Sequence, residues 1–174
     1  MMLQLNKHSF DLKRPLVMGI LNITPDSFSD GGMYLDFNAA LKRAEKMIEE
    51  GVDIIDIGGE STRPGSDAVS ADEELKRITP IIEAIKKISD IAISIDTYKP
   101  EVMKEVIDMD VAMINDIFAL QKPNAIDIVK KSNVGVCLMH MQGTPKTMQD
   151  NPHYECAPID VFNALRDCRD RLEA

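Results

Sequence analysis

The sequence predicts an α/β fold of the (β/α)8-barrel type, here a partial barrel of five β/α units behind a short N-terminal β-hairpin. Three observations carry this. Short apolar runs alternate with amphipathic helical stretches in the order β-α-β-α-β-α-β-α-β-α, and such alternation gives parallel strands with helices outside. Each predicted strand ends in a polar residue (Asn22, Asp56, Asp96, Asn115, His140), at the end where barrels build ligand sites. No G-x-G-x-x-G follows the first strand of the series, which weighs against a dinucleotide-binding sheet.

The elements follow in order. Leu3, Leu5, Phe10 and Leu12 alternate around Asn6-Lys7-His8 and predict a small hairpin over residues 3–14. The apolar run 16–21 is the first barrel strand, and a polar loop over 22–36 follows it. A helix is expected over 38–50, with Ala40, Leu41, Ala44, Met47 and Ile48 on one stripe and Gly51 as its left-handed C-terminal residue. The second strand is Val52–Ile57, leading into the glycine-bearing loop 58–66. The next helix opens on a capping box, Ser70 with Glu73, and buries Leu75, Ile78, Ile81, Ile82, Ile85 and Ile88. Pro80 predicts a kink or break near Thr79. The third strand is Ile91–Ile95, and Pro100 opens the helix after it, where its missing N–H costs least. Val111–Ile114 and Val134–Met139 are strands four and five, with a helix over 123–131 between them. A last helix starts near Ile159. Arg169 to Ala174 carries no glycine or proline stop signal, so the chain is expected to end inside that helix. Residues 1–14 are therefore read as the hairpin, and 15–174 as the N-terminal part of a barrel domain.

Composition narrows the function. A length of 174 residues is near one ordinary domain. A net charge of −9 argues against nucleic acid as main partner, because phosphate neutralisation needs a basic face. No apolar run approaches a membrane span, and the N-terminus lacks the apolar core of a secretory signal. Cys137, Cys156 and Cys168 have no metal-ligand spacing and read as reduced thiols of a cytosolic protein.

Strand parity turns the polar strand ends into a site. If Asn22 points inward, so do Ile20 and Met18; the same rule pairs Asp96 with Ser94, and Asn115 with Met113. The expected mouth is lined by Asn22, Asp56, Asp96, Asn115 and Met139 above an apolar floor. Amides and carboxylates with few cations suit a neutral heterocycle rich in N–H donors, since a carboxylate accepts two parallel bonds from an N–H pair. Each residue also has a plainer reading. Asp96 could cap the following helix, Asn-Asp at 115–116 is a common turn pair, and Asp56 could hold its neighbours in place. The loop 58–66 offers backbone N–H groups and Arg63, a combination suited to phosphate. His140 and His153 lack a metal-spaced partner set, and the methionines at 103, 109, 113, 139 and 141 read as core filler.

Beyond these readings, MGILNITPDSFSDGG at 18–32 resembles the first signature of the dihydropteroate synthase family, and DIIDIGGESTRPGS at 53–66 resembles the second. SIDTYKPEV at 94–102, IND at 114–116 and LMHMQGTPKTMQ at 138–149 continue the resemblance in the family's order. It implies an enzyme that joins p-aminobenzoate to 6-hydroxymethyl-7,8-dihydropterin pyrophosphate, giving 7,8-dihydropteroate and pyrophosphate. It implies that Asp96 and Asn115 hold the pterin ring, with Thr62, Met139, Ile117 and Ser61 beside it, and that Arg63 binds phosphate. Phe28, Arg63 and Pro64 would lie in loops closing over p-aminobenzoate, where sulfonamides compete. Asn22 would sit near pyrophosphate and Mg2+, the implied cofactor. A cytoplasmic homodimer is the expected state of the full-length protein. Alternatives are a non-catalytic or partner-requiring pterin-binding half-barrel and a pterin-dependent methyltransferase domain; the first-loop signature and STRPG favour the synthase. The family's later motifs, from strands six to eight, are absent from these 174 residues.

Overall fold

A computed structural model describes residues 1–23, 33–60 and 68–174, with residues 33–36 described by backbone alone. Met2–Leu5 (β1) and His8–Asp11 (β2) form an antiparallel hairpin turned at Asn6, whose φ of 51° is left-handed. Five parallel strands follow in sequence order: Met18–Asn22 (β3), Ile54–Gly58 (β4), Ala92–Asp96 (β5), Met113–Asp116 (β6) and Gly135–Leu138 (β7). Met33–Glu49 (α1), Ala71–Ile88 (α2), Pro100–Asp108 (α3) and Ala125–Val129 (α4) link them, and Ala157–Glu173 (α5) comes last. Consecutive strands are neighbours throughout, the arrangement of one continuous arc of a (β/α) barrel.

Parity divides the sheet into two faces. Leu21, Ile55, Ile57, Ile93, Ile95 and Ile114 point outward and are buried against the helices. Ala40, Ala44 and Met47 of α1 meet them, as do Ile78, Ile81, Ile82 and Ile85 of α2. On the inner face, Ile54, Ala92 and Met113, with Ala112 just before β6, form a second cluster closed from below by Leu5 of the hairpin. Gly135 makes this plug possible, because a Cβ there would stand 2.3 Å from Leu5 Cδ2. The hairpin turn is tied to the barrel by Asn6, whose Nδ2 donates to Asp110 and whose backbone N–H donates to the Asn133 carbonyl.

Several expectations change in the structure. The helix carrying Pro80 neither breaks nor stops at Thr79: α2 runs from Ala71 to Ile88. Proline removes the bond to the carbonyl four residues back, but Lys76 and Pro80 both lie on the exposed side of the helix, while buried isoleucines hold it on either side. Ile88 is 50% exposed and does not extend the buried stripe. α1 begins five residues earlier than expected. α4 shrinks to five residues because Asn124 at its start is left-handed, with a φ of 68°. The Ser70 cap stands, its side chain accepting from Glu73 N at 3.2 Å, and Gly51 is left-handed at φ 83°. No described helix is long and apolar enough to cross a membrane.

Candidate functional site

The parallel register stacks the inward residues in rows. Asn22, Gly58, Asp96, Asn115 and Cys137 share the row at the C-terminal ends of the strands. Ile20, Asp56, Ser94, Met113 and Gly135 share the row beneath it. The sequence placed Asp56 at the mouth; the register puts it one layer down, because it stands two positions before Gly58, the last residue of β4. Gly58 is the gap in the upper row: a Cβ there would approach Asn22 Oδ1 to 3.2 Å and Asp96 Oδ2 to 3.6 Å. Asn22, Asp96 and Asn115 thus converge on one opening.

The electrostatics of this opening are unusual. Asp56 is buried, and its Oδ2 accepts from Asn115 Nδ2 at 3.0 Å. Asp56 Oδ1 and Asp96 Oδ1 are both buried without a hydrogen-bond partner among the described residues. Burial, reinforced by Asp56, Glu74, Asp116 and Glu60, pushes the Asp96 carboxyl up to about 7. Burial also raises Asp56, against the pull of the Ser94 hydroxyl and the Asn115 amide. The Cys137 thiol is raised by burial and then by these two carboxylates. Unpartnered acceptors in a dry floor favour a ligand that brings N–H donors, because each bond made there removes a desolvation cost already present.

Ile117 and Met139, two residues beyond Asn115 and Cys137, line a small cavity between the loops after β6 and β7 and helix α5, with Phe118, Gln121, His140 and Leu165. His140 pairs with Tyr154 at 3.2 Å, and His153 donates its backbone N–H to Gln142, so both histidines brace the loop after β7. Ser61, Thr62, Arg63, Pro64 and Phe28 fall outside the described residues. No group of three or more His, Cys, Asp or Glu side chains that could hold a metal occurs among the described residues.

Two features were not read from the sequence. Behind β4, Lys99 Nζ bridges the carboxylates of Glu60 and Glu74, both buried, while Tyr98 Oη donates to Glu60 Oε1 at 2.9 Å and Val69 N donates to Glu60 Oε2 at 3.1 Å. Burial pulls the Lys99 ammonium down and the two carboxylates more than offset it, leaving it raised. These three charges lie 14 and 25 residues apart, and each looks like a solvated surface charge by itself. After β6, the buried Asp116 carboxylate accepts from Phe118 N and Leu120 N, both at 2.8 Å, and so braces the left-handed Ala119 and Leu120. The Asn-Asp turn pair was the available signal.

Comparison with known proteins accords with this geometry. The chain is 51% identical to the dihydropteroate synthase of Haemophilus influenzae over 166 residues, covering 95% of this chain and 60% of that one. With the Escherichia coli K12 dihydropteroate synthase the identity is 52%, covering 88% of this chain and 53% of the relative. It thus spans a little over half the length of these relatives. Among solved structures, the Yersinia pestis dihydropteroate synthase in a sulfonamide complex superposes with a TM-score of 0.90 at 45% identity, over 99% of this chain and 62% of that one. The Burkholderia cenocepacia enzyme complexed with 7,8-dihydropteroate gives 0.86 at 44% identity, over 99% and 58%. The family described as pterin binding enzyme matches residues 18–174, and the chain belongs to that family.

Proposed function

We propose that the chain supplies the pterin-holding part of a dihydropteroate synthase. The carrying observation is the upper inward row, where Asp96 and Asn115 stand side by side with an unpartnered buried carboxylate oxygen at Asp96. The pterin edge would place its N–H donors on these acceptors, with Ser61, Thr62, Ile117 and Met139 around the ring. The names of the relatives support this reading, as do the ligands named with them: 7,8-dihydropteroate on the Burkholderia cenocepacia enzyme and 4-aminobenzoic acid on that of Xanthomonas albilineans.

In the reaction, the amine nitrogen of p-aminobenzoate attacks the methylene carbon of 6-hydroxymethyl-7,8-dihydropterin pyrophosphate. A C–N bond forms, the C–O bond breaks, pyrophosphate leaves with the electron pair, and the amine gives up a proton. The protein's share is orientation and charge stabilisation. Asp96 and Asn115 fix the ring so that the methylene faces the amine. Arg63 would meet the leaving pyrophosphate, and Phe28 and Pro64 the p-aminobenzoate ring. Asn22 would offer its side-chain oxygen to Mg2+, a donor set that fits an ion held chiefly by pyrophosphate and water; the ion would neutralise charge on the leaving group. A cytoplasmic location and a homodimeric whole protein belong to the same reading.

A chimera tests it. The chain joined to the last three β/α units of the Escherichia coli relative should bind 6-hydroxymethylpterin and form dihydropteroate. Asp96→Asn in that chimera should weaken pterin binding at least tenfold by calorimetry. A folded chimera that neither binds pterin nor makes dihydropteroate overturns the reading.

A further inference from the structure

Asp56 is an ionisable group in the inward rows to which the reaction above gives no task. It is 4% exposed, lies one row below Asp96 and Asn115, and reaches beneath β5 to Asn115 Nδ2. Small residues open this path: Gly58 stands above Asp56 on its own strand, and Ser94 is its register partner on β5. We propose that Asp56 is a positioning residue that fixes the orientation of the Asn115 amide, so that the Asn115 carbonyl oxygen is offered beside the Asp96 carboxylate to a donor-bearing ligand edge. The identity of that ligand rests on the function proposed above.

The argument is one of donor and acceptor identity. An ionised carboxylate only accepts, whereas an asparagine side chain has one donating and one accepting end. With Asp56 ionised, only the Nδ2 end of Asn115 can therefore face it. The flipped amide would oppose Oδ1 to Oδ2, two acceptors in a site with little water to relieve them, which is the costly case for buried polar groups. With Nδ2 pinned downward, Oδ1 is left for the ligand. An amide free to flip would meet the ligand's N–H donors with its own NH2 in part of the population, and every such molecule would have to reorganise before binding.

The test is an exchange of partners in the 174-residue chain. Asp56→Asn leaves two amides that can pair in either sense. Asp56→Asn combined with Asn115→Asp restores one donor and one acceptor with roles reversed, keeps the net charge, and again leaves an acceptor at 115 for the ligand. Calorimetry with 6-hydroxymethylpterin should show the single variant at least tenfold weaker than wild type and the exchanged pair within about threefold of wild type. Hydrogen exchange of the Asn115 side-chain amide, read by 15N NMR, should be at least tenfold slower in wild type than in Asp56→Ala. A folded single variant that binds like wild type overturns the proposal, and so does an exchanged pair that folds yet stays as weak as the single variant. If the single variant does not fold, the exchanged pair against wild type decides alone. If wild type takes no pterin, the exchange rates decide the orientation: equal rates in wild type and Asp56→Ala overturn it.

Discussion

Ile20 and Leu21 are neighbours on β3, yet one is 64% exposed and the other 2%. They stand for the two faces of the sheet. The outward face is uniformly aliphatic and sealed by helices. The inward face carries Asp56, Ser94, Asp96 and Asn115 over a small apolar plug, and it is open at β3. The same five strands thus keep stability on one parity and ligand chemistry on the other. A change of a single position along a strand moves a substitution from one task to the other.

The largest effect should come where charge enters the sealed side. Lys99→Met leaves the buried Glu60 and Glu74 carboxylates without their shared cation, and breaking such a pair costs about 3–5 kcal/mol. Urea unfolding should show a midpoint shift of that size; an unchanged midpoint would mean the network contributes nothing. Next, Leu21→Ala should cost about 2–5 kcal/mol through lost burial and a residual cavity. A smaller effect of opposite sign is expected at the mouth. The Asp96 carboxyl, raised to about 7 by burial and its acidic neighbours, holds its proton in the folded state where the unfolded chain has released it. Its stabilising contribution is complete below the ordinary carboxylate range and fades as pH rises through about 7. Asp96→Asn should therefore raise stability at pH 8 by on the order of 2 kcal/mol, with little change at pH 4. Melting curves at the two pH values check this, and a variant no more stable at pH 8 would contradict it. Smallest of all, Ile20→Ala should change the melting midpoint by less than about 0.5 kcal/mol equivalent, because the side chain is already in water.

The contrast also explains what could be read from the sequence. The order and kind of every element were legible, because aliphatic runs and 3.6-residue stripes report burial locally. Asn22, Asp96 and Asn115 were legible as one row, since each stands at the C-terminal end of its strand on the same parity. Asp56 was read one layer too high, because a strand's last polar residue need not be its last residue when glycines follow. Helix α2 was expected to kink or break near Thr79, because the sequence shows the missing N–H of Pro80 but not the buried isoleucines that hold the helix on either side. The Lys99 bridge was invisible for a different reason: its three charges come from three segments, and only the folded topology brings them together.

The plug at the foot of the barrel sets a clock on synthesis. Leu5 fits beneath Gly135, and Asn6 bonds to Asp110 and Asn133, so β1 finds its berth only when β7 exists. A ribosome adding roughly 5–20 residues per second leaves Leu3, Leu5 and Phe10 without their seat for on the order of ten seconds. During translation the hairpin emerges before β7 and docks only once β7 is made, and a chaperone that recognises short apolar segments has that interval in which to hold it.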